Sequence, residues 1–305
     1  MRRIIVVLSL LLCSLASSLA GEHRIVIVSL DGCRWDYPQM YHTPFLDKLG
    51  HDGVQAVMQP SFPSSTFPNH YTLATGLVPD HHGIIANVFY HKATNTTFAL
   101  GKNQNDPAYW GGDPIWLTAT RQGKRVGVVY WPGSDVAIKG EYPDYWHSYA
   151  KKPLLTYVER VAKIEEMLKM PADKRPQLIM AYFDEPDHSG HAFGPESPET
   201  CKQVVALDGL LSQLWNDIQH MPDAADIDLI VTADHGMARL SNERIIRLDK
   251  VLDKSWYERL ATGFPTMVFA KKGCEGKIMK ALNAVPHLRA YRKAEVPEYL
   301  HFGTN

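Results

Sequence analysis

Four apolar runs, each closed by an abrupt polar turn, constrain this chain more than any other feature. They are His23 to Leu30, Arg125 to Trp131, Gln177 to Phe183 and Ile227 to Thr232. The first is continuously apolar and reads as a strand buried on both faces, as in a parallel sheet. Helical patterns separate the runs: Pro44 to Gly53, a segment beginning near Thr66, Pro114 to Gln122, Leu154 to Lys169 and Pro198 to His220. Alternating strands and helices predict an α/β fold with a mostly parallel central sheet flanked by helices. Val54 to Met58 is a further strand candidate, the stretch of Pro, Asp, His and Gly after the Thr66 helix reads as a loop, and residues 91–113 read as a polar, Gly-rich loop. The C-terminal stretch reads as strand (Thr266 to Ala270), helix (Glu275 to Asn283) and strand (Leu288 to Arg292), a small α+β lobe.

In open parallel sheets the ligand lies beyond the carboxyl ends of the strands. Three of the four runs end there in residues that bind metals. Asp31 follows the first, Asp187 lies just past the third, and Asp234-His235 follows the fourth. Asp187 and His191 are four apart, so one helical turn would put both on one face. Each piece alone is compatible with a turn, a helix cap or a surface pair. Together they set three carboxylates and two imidazoles at one edge of one sheet. That donor set suits Zn²⁺, with Mn²⁺ or another divalent ion also admissible.

The stretch Ser64-Ser65-Thr66-Phe67-Pro68-Asn69-His70 supplies a hydroxyl for that edge. Pro68 suits the first turn of a helix, so Thr66 lies at or just before a helix N-terminus, where unpaired N–H groups attract phosphate. Thr66 is therefore either a helix cap or a nucleophile.

Composition sets the outer bounds. The 305 residues carry a net charge of −1 and are 45% hydrophobic, which describes a globular chain and gives no sign of a nucleic-acid partner. Met1-Arg2-Arg3, the apolar run Ile4 to Leu12 and small residues up to Ala20 read as a secretory signal peptide, too short to span a bilayer. The expectation is a secreted or periplasmic protein with no stable membrane anchor after cleavage, residues 21–305 forming a single domain. Of four cysteines, Cys13 falls in the leader, and Cys33, Cys201 and Cys274 allow at most one disulfide. Asn95-Thr96-Thr97 matches a glycosylation acceptor, relevant only in a eukaryotic host.

Longer motifs make the reading specific. Asp31-Gly32, Thr66-Phe67-Pro68-Asn69-His70-Tyr71, Thr75-Gly76-Leu77 through Asn87, Glu185-Pro186-Asp187 through His191, and Thr232-Ala233-Asp234-His235-Gly236-Met237 together resemble the nucleotide pyrophosphatase/phosphodiesterase family, within the alkaline phosphatase superfamily. The resemblance implies an alkaline-phosphatase-like fold and two zinc ions. One would be held by Asp31, Thr66, Asp234 and His235, the other by Asp187, His191 and a further His. It implies Thr66 as nucleophile, Asn87 as donor to a phosphoryl oxygen, and Phe67 and Tyr149 stacking on a nucleobase, with Trp131 and Asp135 shaping the same wall. The substrate implied is a small nucleotide phosphodiester or pyrophosphate, cleaved to a nucleoside 5′-monophosphate through a threonine-linked intermediate. No sequence-specific nucleic-acid contact is implied. Asn87, a neutral donor where a monoesterase would place a cation, favours a diester.

One departure stands out. The family's third histidine of the second zinc site lies in a Gly-x-His-Gly motif past the point corresponding to Asn305, so the sequence reads as C-terminally incomplete. His287 and His301 are the nearest substitutes, neither at the matching position. Three rival readings follow: a lipid or choline phosphodiesterase using the same site, a non-catalytic metal-binding protein, and a phosphomonoesterase.

Overall fold

The computed structural model describes residues 22–99 and 101–304. The stretch read as a signal peptide lies outside the described residues. In chain order, β1 (Arg24–Leu30) leads to a single helical turn, α1 (Tyr37–Met40), and to α2 (Pro44–Asp52). Helix α3 (Thr66–Thr75), the turn α4 (Pro79–His82) and the strands β2 (Val88–His91) and β3 (Thr96–Ala99) follow. Next come α5 (Ile115–Arg121), β4 (Val126–Val129), β5 (Tyr145–His147), α6 (Tyr157–Leu168) and β6 (Leu178–Phe183). The chain continues through α7 (Asp187–Phe193), α8 (Pro198–Gln219), β7 (Ile227–Thr232), α9 (Leu248–Val251), β8 (Tyr257–Ala261), β9 (Met267–Ala270) and α10 (Glu275–Asn283).

Five strands form the central sheet in the order β5-β4-β6-β1-β7. Every pairing in it is parallel. Period-2 side-chain alternation divides the core between its two faces. On one face Val26, Val28 and Leu30 of β1 and Ile179, Ala181 and Phe183 of β6 pack with Val161 and Ile164 of α6 and Leu207, Leu211 and Leu214 of α8. On the other, Leu178 and Met180 of β6 and Val126 and Val128 of β4 pack with Tyr71 and Ala74 of α3 and Trp116 and Leu117 of α5. Local signals start the long helices. Thr156 and Glu159 form a capping box on α6, and the Ser197 hydroxyl accepts from Thr200 N–H at the start of α8.

The α/β architecture with a mostly parallel sheet agrees with the sequence reading, and β8, β9 and α10 form the expected C-terminal lobe around Leu252, Ile278 and Leu282. Four expectations need correction. Val54 to Met58 is not a strand: Val54 is 96% and Val57 70% exposed, and neither finds a ladder among the described residues. Leu288 to Arg292 is irregular as well. A short apolar run does not specify a strand unless a partner edge is there to receive it. Conversely, residues 88–99 form the antiparallel pair β2–β3, whose inward residues Phe89 and Phe98 stack at 4.8 Å. The stretch after α3, read as loop, contains the turn α4.

Candidate active site

The carboxyl ends of β1, β6 and β7 lie side by side because β1 sits between the other two. Leu30 pairs with Phe183 and Ser29 with Thr232, so the three strands end nearly flush. Asp31 follows β1 with 2% of its surface exposed, and its peptide N–H donates to Phe183 O at 2.9 Å. Asp187 opens α7, and its N–H donates to Asp31 O at 3.0 Å. Asp234, 1% exposed, accepts from Gly32 N–H at 3.1 Å.

Two glycines make this convergence possible. Gly32 has φ 66°, and a Cβ there would lie 2.9 Å from Asp187 Cβ. A Cβ at Gly190 would overlap the Met237 thioether, so α7 approaches the Asp234-His235-Gly236-Met237 turn only without a side chain at that point.

Candidate ligand atoms of Asp31, Asp234 and His235 all lie within 4.8 Å of one another. His235 Nε2 is 3.4 Å from Asp31 Oδ1 and 3.2 Å from Asp234 Oδ2. Thr66 Oγ1 joins this group, 3.3 Å from His235 Nε2 and 3.5 Å from Asp31 Oδ1. Thr66 is the first residue of α3 rather than its cap. Ser65 occupies the cap position without a side-chain hydrogen bond. A side chain from elsewhere does the capping: Asn87 Oδ1 accepts from Phe67 N–H at 2.9 Å. Asp187 and His191 share one face of α7, as their spacing predicts, with His191 Nε2 3.5 Å from Asp187 Oδ2 and its ring largely exposed. Among the described residues, His287 and His301 join neither ligand set.

Charge in the cluster is unbalanced. Burial, with the Asp234 and Asp187 carboxylates beside it, pushes Asp31 well above the ordinary carboxylate range. Burial also raises Asp187, against the opposing pull of His191 and His235. Burial would raise Asp234 too, but the His70 ring beside it prevails and holds it at about 2. Asp187 Oδ1 is buried with no hydrogen-bond partner, and Asp234 Oδ2 is met by two imidazole nitrogens, His235 Nε2 at 3.2 Å and His70 Nδ1 at 3.3 Å. Two buried carboxylates, Asp31 and Asp234, and the partly buried Asp187, which has one oxygen left unpaired, form a group that divalent cations would complete. The donor set of carboxylate oxygens and imidazole nitrogens fits divalent ions, zinc among them.

Supporting residues that the sequence did not single out surround the cluster. Tyr182 OH donates to Asp31 Oδ2 at 2.6 Å. His70 lies fully buried, its Nδ1 2.9 Å from Thr66 O and 3.3 Å from Asp234 Oδ2, its Nε2 2.9 Å from Ser29 Oγ. His70 is four residues from Thr66 on a helix, which was the available signal. Tyr182 hides in an apolar run and gave none.

The aromatic residues divide into two sets. Phe67 is 9% exposed and contacts Phe98 and Trp110 edge-on or tilted at 6.0 Å. Tyr149 is half-buried, with its OH donating to Asp184 Oδ1 at 3.1 Å. Trp131 departs from the expected pocket wall. It is 1% exposed, and its indole N–H donates to His70 O at 3.0 Å. It supports α3 from behind, the usual fate of a large aromatic flanked by strand residues. Asp135, half-buried, accepts from the hydroxyl of Ser148, the residue before Tyr149, at 2.7 Å.

The profile of the type I phosphodiesterase / nucleotide pyrophosphatase family matches residues 25–305. The chain belongs to this family. It is 35% identical to human ectonucleotide pyrophosphatase/phosphodiesterase family member 5 over 93% of this chain and 60% of that protein. Identity to venom phosphodiesterase 2 of Crotalus adamanteus is 34%, over 93% of this chain and 36% of that one. The solved structure of murine ectonucleotide pyrophosphatase/phosphodiesterase 5, an inactive threonine-to-alanine variant in complex with AMP, matches with a TM-score of 0.86 and 36% identity, covering 93% of this chain and 76% of that chain. This type I phosphodiesterase chain thus spans between about a third and 60% of the length of those curated relatives. Among its described residues no helix is long and apolar enough to cross a membrane. Cys33, Cys201 and Cys274 are unpaired thiols.

Proposed function

We propose that this chain is a zinc-dependent phosphodiesterase and nucleotide pyrophosphatase, acting in the periplasm or outside the cell on small nucleotide diesters to release nucleoside 5′-monophosphates. The observation that carries the reading is Thr66 Oγ1, at the N-terminus of α3, within 3.5 Å of both Asp31 and His235. Asp31, Thr66, Asp234 and His235 would hold one ion, and Asp187 and His191 would contribute to a second. When bound, such ions lower the pKa of a hydroxyl and offset charge on phosphoryl oxygens.

The residues of the chain then divide the work. Thr66 Oγ1 attacks phosphorus in line with the leaving group. The Oγ1–P bond forms as the P–O bond to the leaving group breaks. Attack by water from the vacated side breaks the Oγ1–P bond, restores the threonine hydroxyl and releases the monoester, with net retention at phosphorus. Among the described residues, the side chains within hydrogen-bond reach of Thr66 Oγ1 are Asp31 and His235, both members of the ligand cluster, so no separate general base is assigned. Asn87 is clamped through Oδ1 by Phe67 N–H, which leaves its Nδ2–H₂ to meet a phosphoryl oxygen. The half-buried Tyr149, with Phe67 next to the nucleophile, would offer a face for a base, worth about 1–3 kcal/mol per stacked base.

The decisive experiment is Thr66→Ala, assayed on thymidine 5′-monophosphate p-nitrophenyl ester and on bis-p-nitrophenyl phosphate. Turnover of both should fall to background while the circular dichroism spectrum is unchanged. In the unsubstituted protein, acid quenching should trap a nucleotidyl adduct on Thr66, visible by mass spectrometry. Near-normal diesterase activity in Thr66→Ala would refute the mechanism.

A further inference from the structure

Behind the half-buried Tyr149 lies a charged group that the reaction does not use. Arg160, on the first turn of α6, is 2% exposed. Its guanidinium carbon lies 4.8 Å from the ring centroid of Tyr130, 4.9 Å from Tyr157, 5.7 Å from Phe183 and 5.9 Å from Tyr149. One nitrogen donates to Tyr182 O at 2.9 Å and pairs with Asp184 Oδ1 at 2.8 Å. Another donates to Leu155 O at 3.3 Å. Burying a guanidinium is costly unless its geometry and partners are good. Here the partners are drawn from four segments: the residue after β4, the end of β6 with Asp184, the loop 148–156 and α6 itself.

That loop carries Tyr149, whose hydroxyl donates to the same oxygen, Asp184 Oδ1, at 3.1 Å. Arg160 fixes the carboxylate and the carboxylate fixes the tyrosine. The loop is also pinned where Leu155 N–H donates to Tyr130 OH at 2.9 Å, under the guanidinium. Otherwise Tyr149 sits against Tyr130 and Tyr182 through ring edges, at 4.9 Å and 5.9 Å. Such contacts hold a ring in a region but do not set its angle, whereas a hydroxyl on a held carboxylate does.

We propose that Arg160, acting through Asp184, is a positioning residue that sets the Tyr149 ring for the nucleoside part of the substrate, and so determines preference for nucleotides over diesters without a base. The inference rests on the reading of Tyr149 as a base-stacking residue. Arg160 touches no reacting atom. Its effect is on KM for a base-bearing substrate, and the chemistry at Thr66 proceeds without it.

The test compares kcat/KM on thymidine 5′-monophosphate p-nitrophenyl ester with kcat/KM on bis-p-nitrophenyl phosphate, as a ratio. Arg160→Lys keeps the charge and loses the fork. It should lower the ratio roughly tenfold, a fraction of the worth of a stacked base, with the loss in KM. Tyr149→Phe keeps the ring and loses the tether, and it should lower the ratio by a similar factor. The double variant should be no worse than either single one, because both cut one linkage. A folded Arg160→Lys protein with an unchanged ratio, or with additive losses in the double variant, overturns the proposal. If Arg160→Lys does not fold, Tyr149→Phe and Asp184→Asn carry the test, and an unchanged ratio in both overturns it. If the unsubstituted protein turns over neither diester, the phosphodiesterase reading fails by itself. The Kd for AMP then decides, and a value unmoved by Tyr149→Phe and Asp184→Asn overturns the positioning role.

Discussion

Asn87 offers the sharpest separation of structure from chemistry in the site, because its two amide atoms do different jobs. Oδ1 accepts from Phe67 N–H at 2.9 Å, replacing the side-chain cap that Ser65 does not provide. Nδ2 is the donor left for a phosphoryl oxygen. Asn87→Asp keeps the acceptor and loses the donor. A carboxylate near the first turn of α3 also interacts favourably with the helix dipole, by roughly 0.3–1 kcal/mol. Its stability should match or exceed that of the unsubstituted protein. Its activity should collapse. Losing an oxyanion donor costs about 10²–10³ in kcat. Placing a negative charge about 4 Å from a phosphoryl oxygen adds up to about 4 kcal/mol at an effective dielectric near 20. Asn87→Ala loses both atoms. It should keep more activity than the Asp variant, because it adds no repulsion, but lose about 1 kcal/mol of stability with the cap. For a chain of this size that lowers Tm by about 2–4 °C. Steady-state kinetics on thymidine 5′-monophosphate p-nitrophenyl ester, with thermal unfolding of the same samples, reads both quantities. An Asp variant as active as the Ala variant would refute the assignment of Nδ2 as a phosphoryl donor. An Ala variant as stable as the parent would refute the capping role of Oδ1.

Other consequences follow from single contacts. Tyr182→Phe removes the 2.6 Å hydrogen bond to Asp31 and should weaken zinc affinity by about 10–100-fold with the fold intact, as measured by competition with a chromophoric chelator. Gly32→Ala would drive a methyl against Asp187 in a left-handed backbone, and zinc content should fall on direct metal analysis. Chelation should lower Tm by removing the cations proposed to offset the charge of Asp31, Asp187 and Asp234. In the chelated protein Asp31 and Asp187 have folded values raised above the ordinary 3.8. Their favourable contribution is present at low pH and lost as pH rises through those values, so the Tm gap between zinc-loaded and chelated protein should widen as pH rises from the ordinary 3.8 through the raised values. His82 behaves oppositely: burial lowers it from 6.5 to about 4. It contributes stability above pH 6.5 that is lost as pH falls toward 4, roughly 3 kcal/mol at most, and His82→Gln should flatten that limb of a urea-midpoint profile.

The sequence revealed what repeats or what lies at fixed short spacing. Strand β6 is a buried apolar run, Asp187 and His191 are one helical turn apart, and Thr66 precedes a helix marked by Pro68. It concealed what depends on partners far along the chain. Nothing local separates Val54 to Met58, which lies open, from Val126–Val129, which is buried on both faces of the sheet. Trp131 was legible as an aromatic near the site but not as one turned inward, because direction is set by the 3.0 Å hydrogen bond to His70 O, sixty-one residues away. Arg160 looked like an ordinary charge on an amphipathic helix, and its aromatic surroundings come from four separate stretches.

Register is the quantity that a single sequence withholds and on which this site depends most. Pairing Leu30 with Phe183 and Ser29 with Thr232 brings Asp31, Asp187 and Asp234 to one level. A slip of one residue between β1 and β7 would move Asp234 by about 3.3 Å and turn the whole strand over. It would separate Gly32 N–H from the carboxylate it now meets at 3.1 Å. The apolar run of β1 alone does not forbid that slip, since β1 is apolar on both faces and its own sequence gives no phase. What holds the register is the set of polar contacts beyond the strands: Asp31 N–H to Phe183 O, Asp187 N–H to Asp31 O, Tyr182 OH to Asp31 and Gly32 N–H to Asp234. Every one of these involves a proposed metal ligand or its immediate neighbour. The bonds that align the sheet are therefore the bonds that build the site, and the three carboxylates they bring together are the ones proposed to hold the cations.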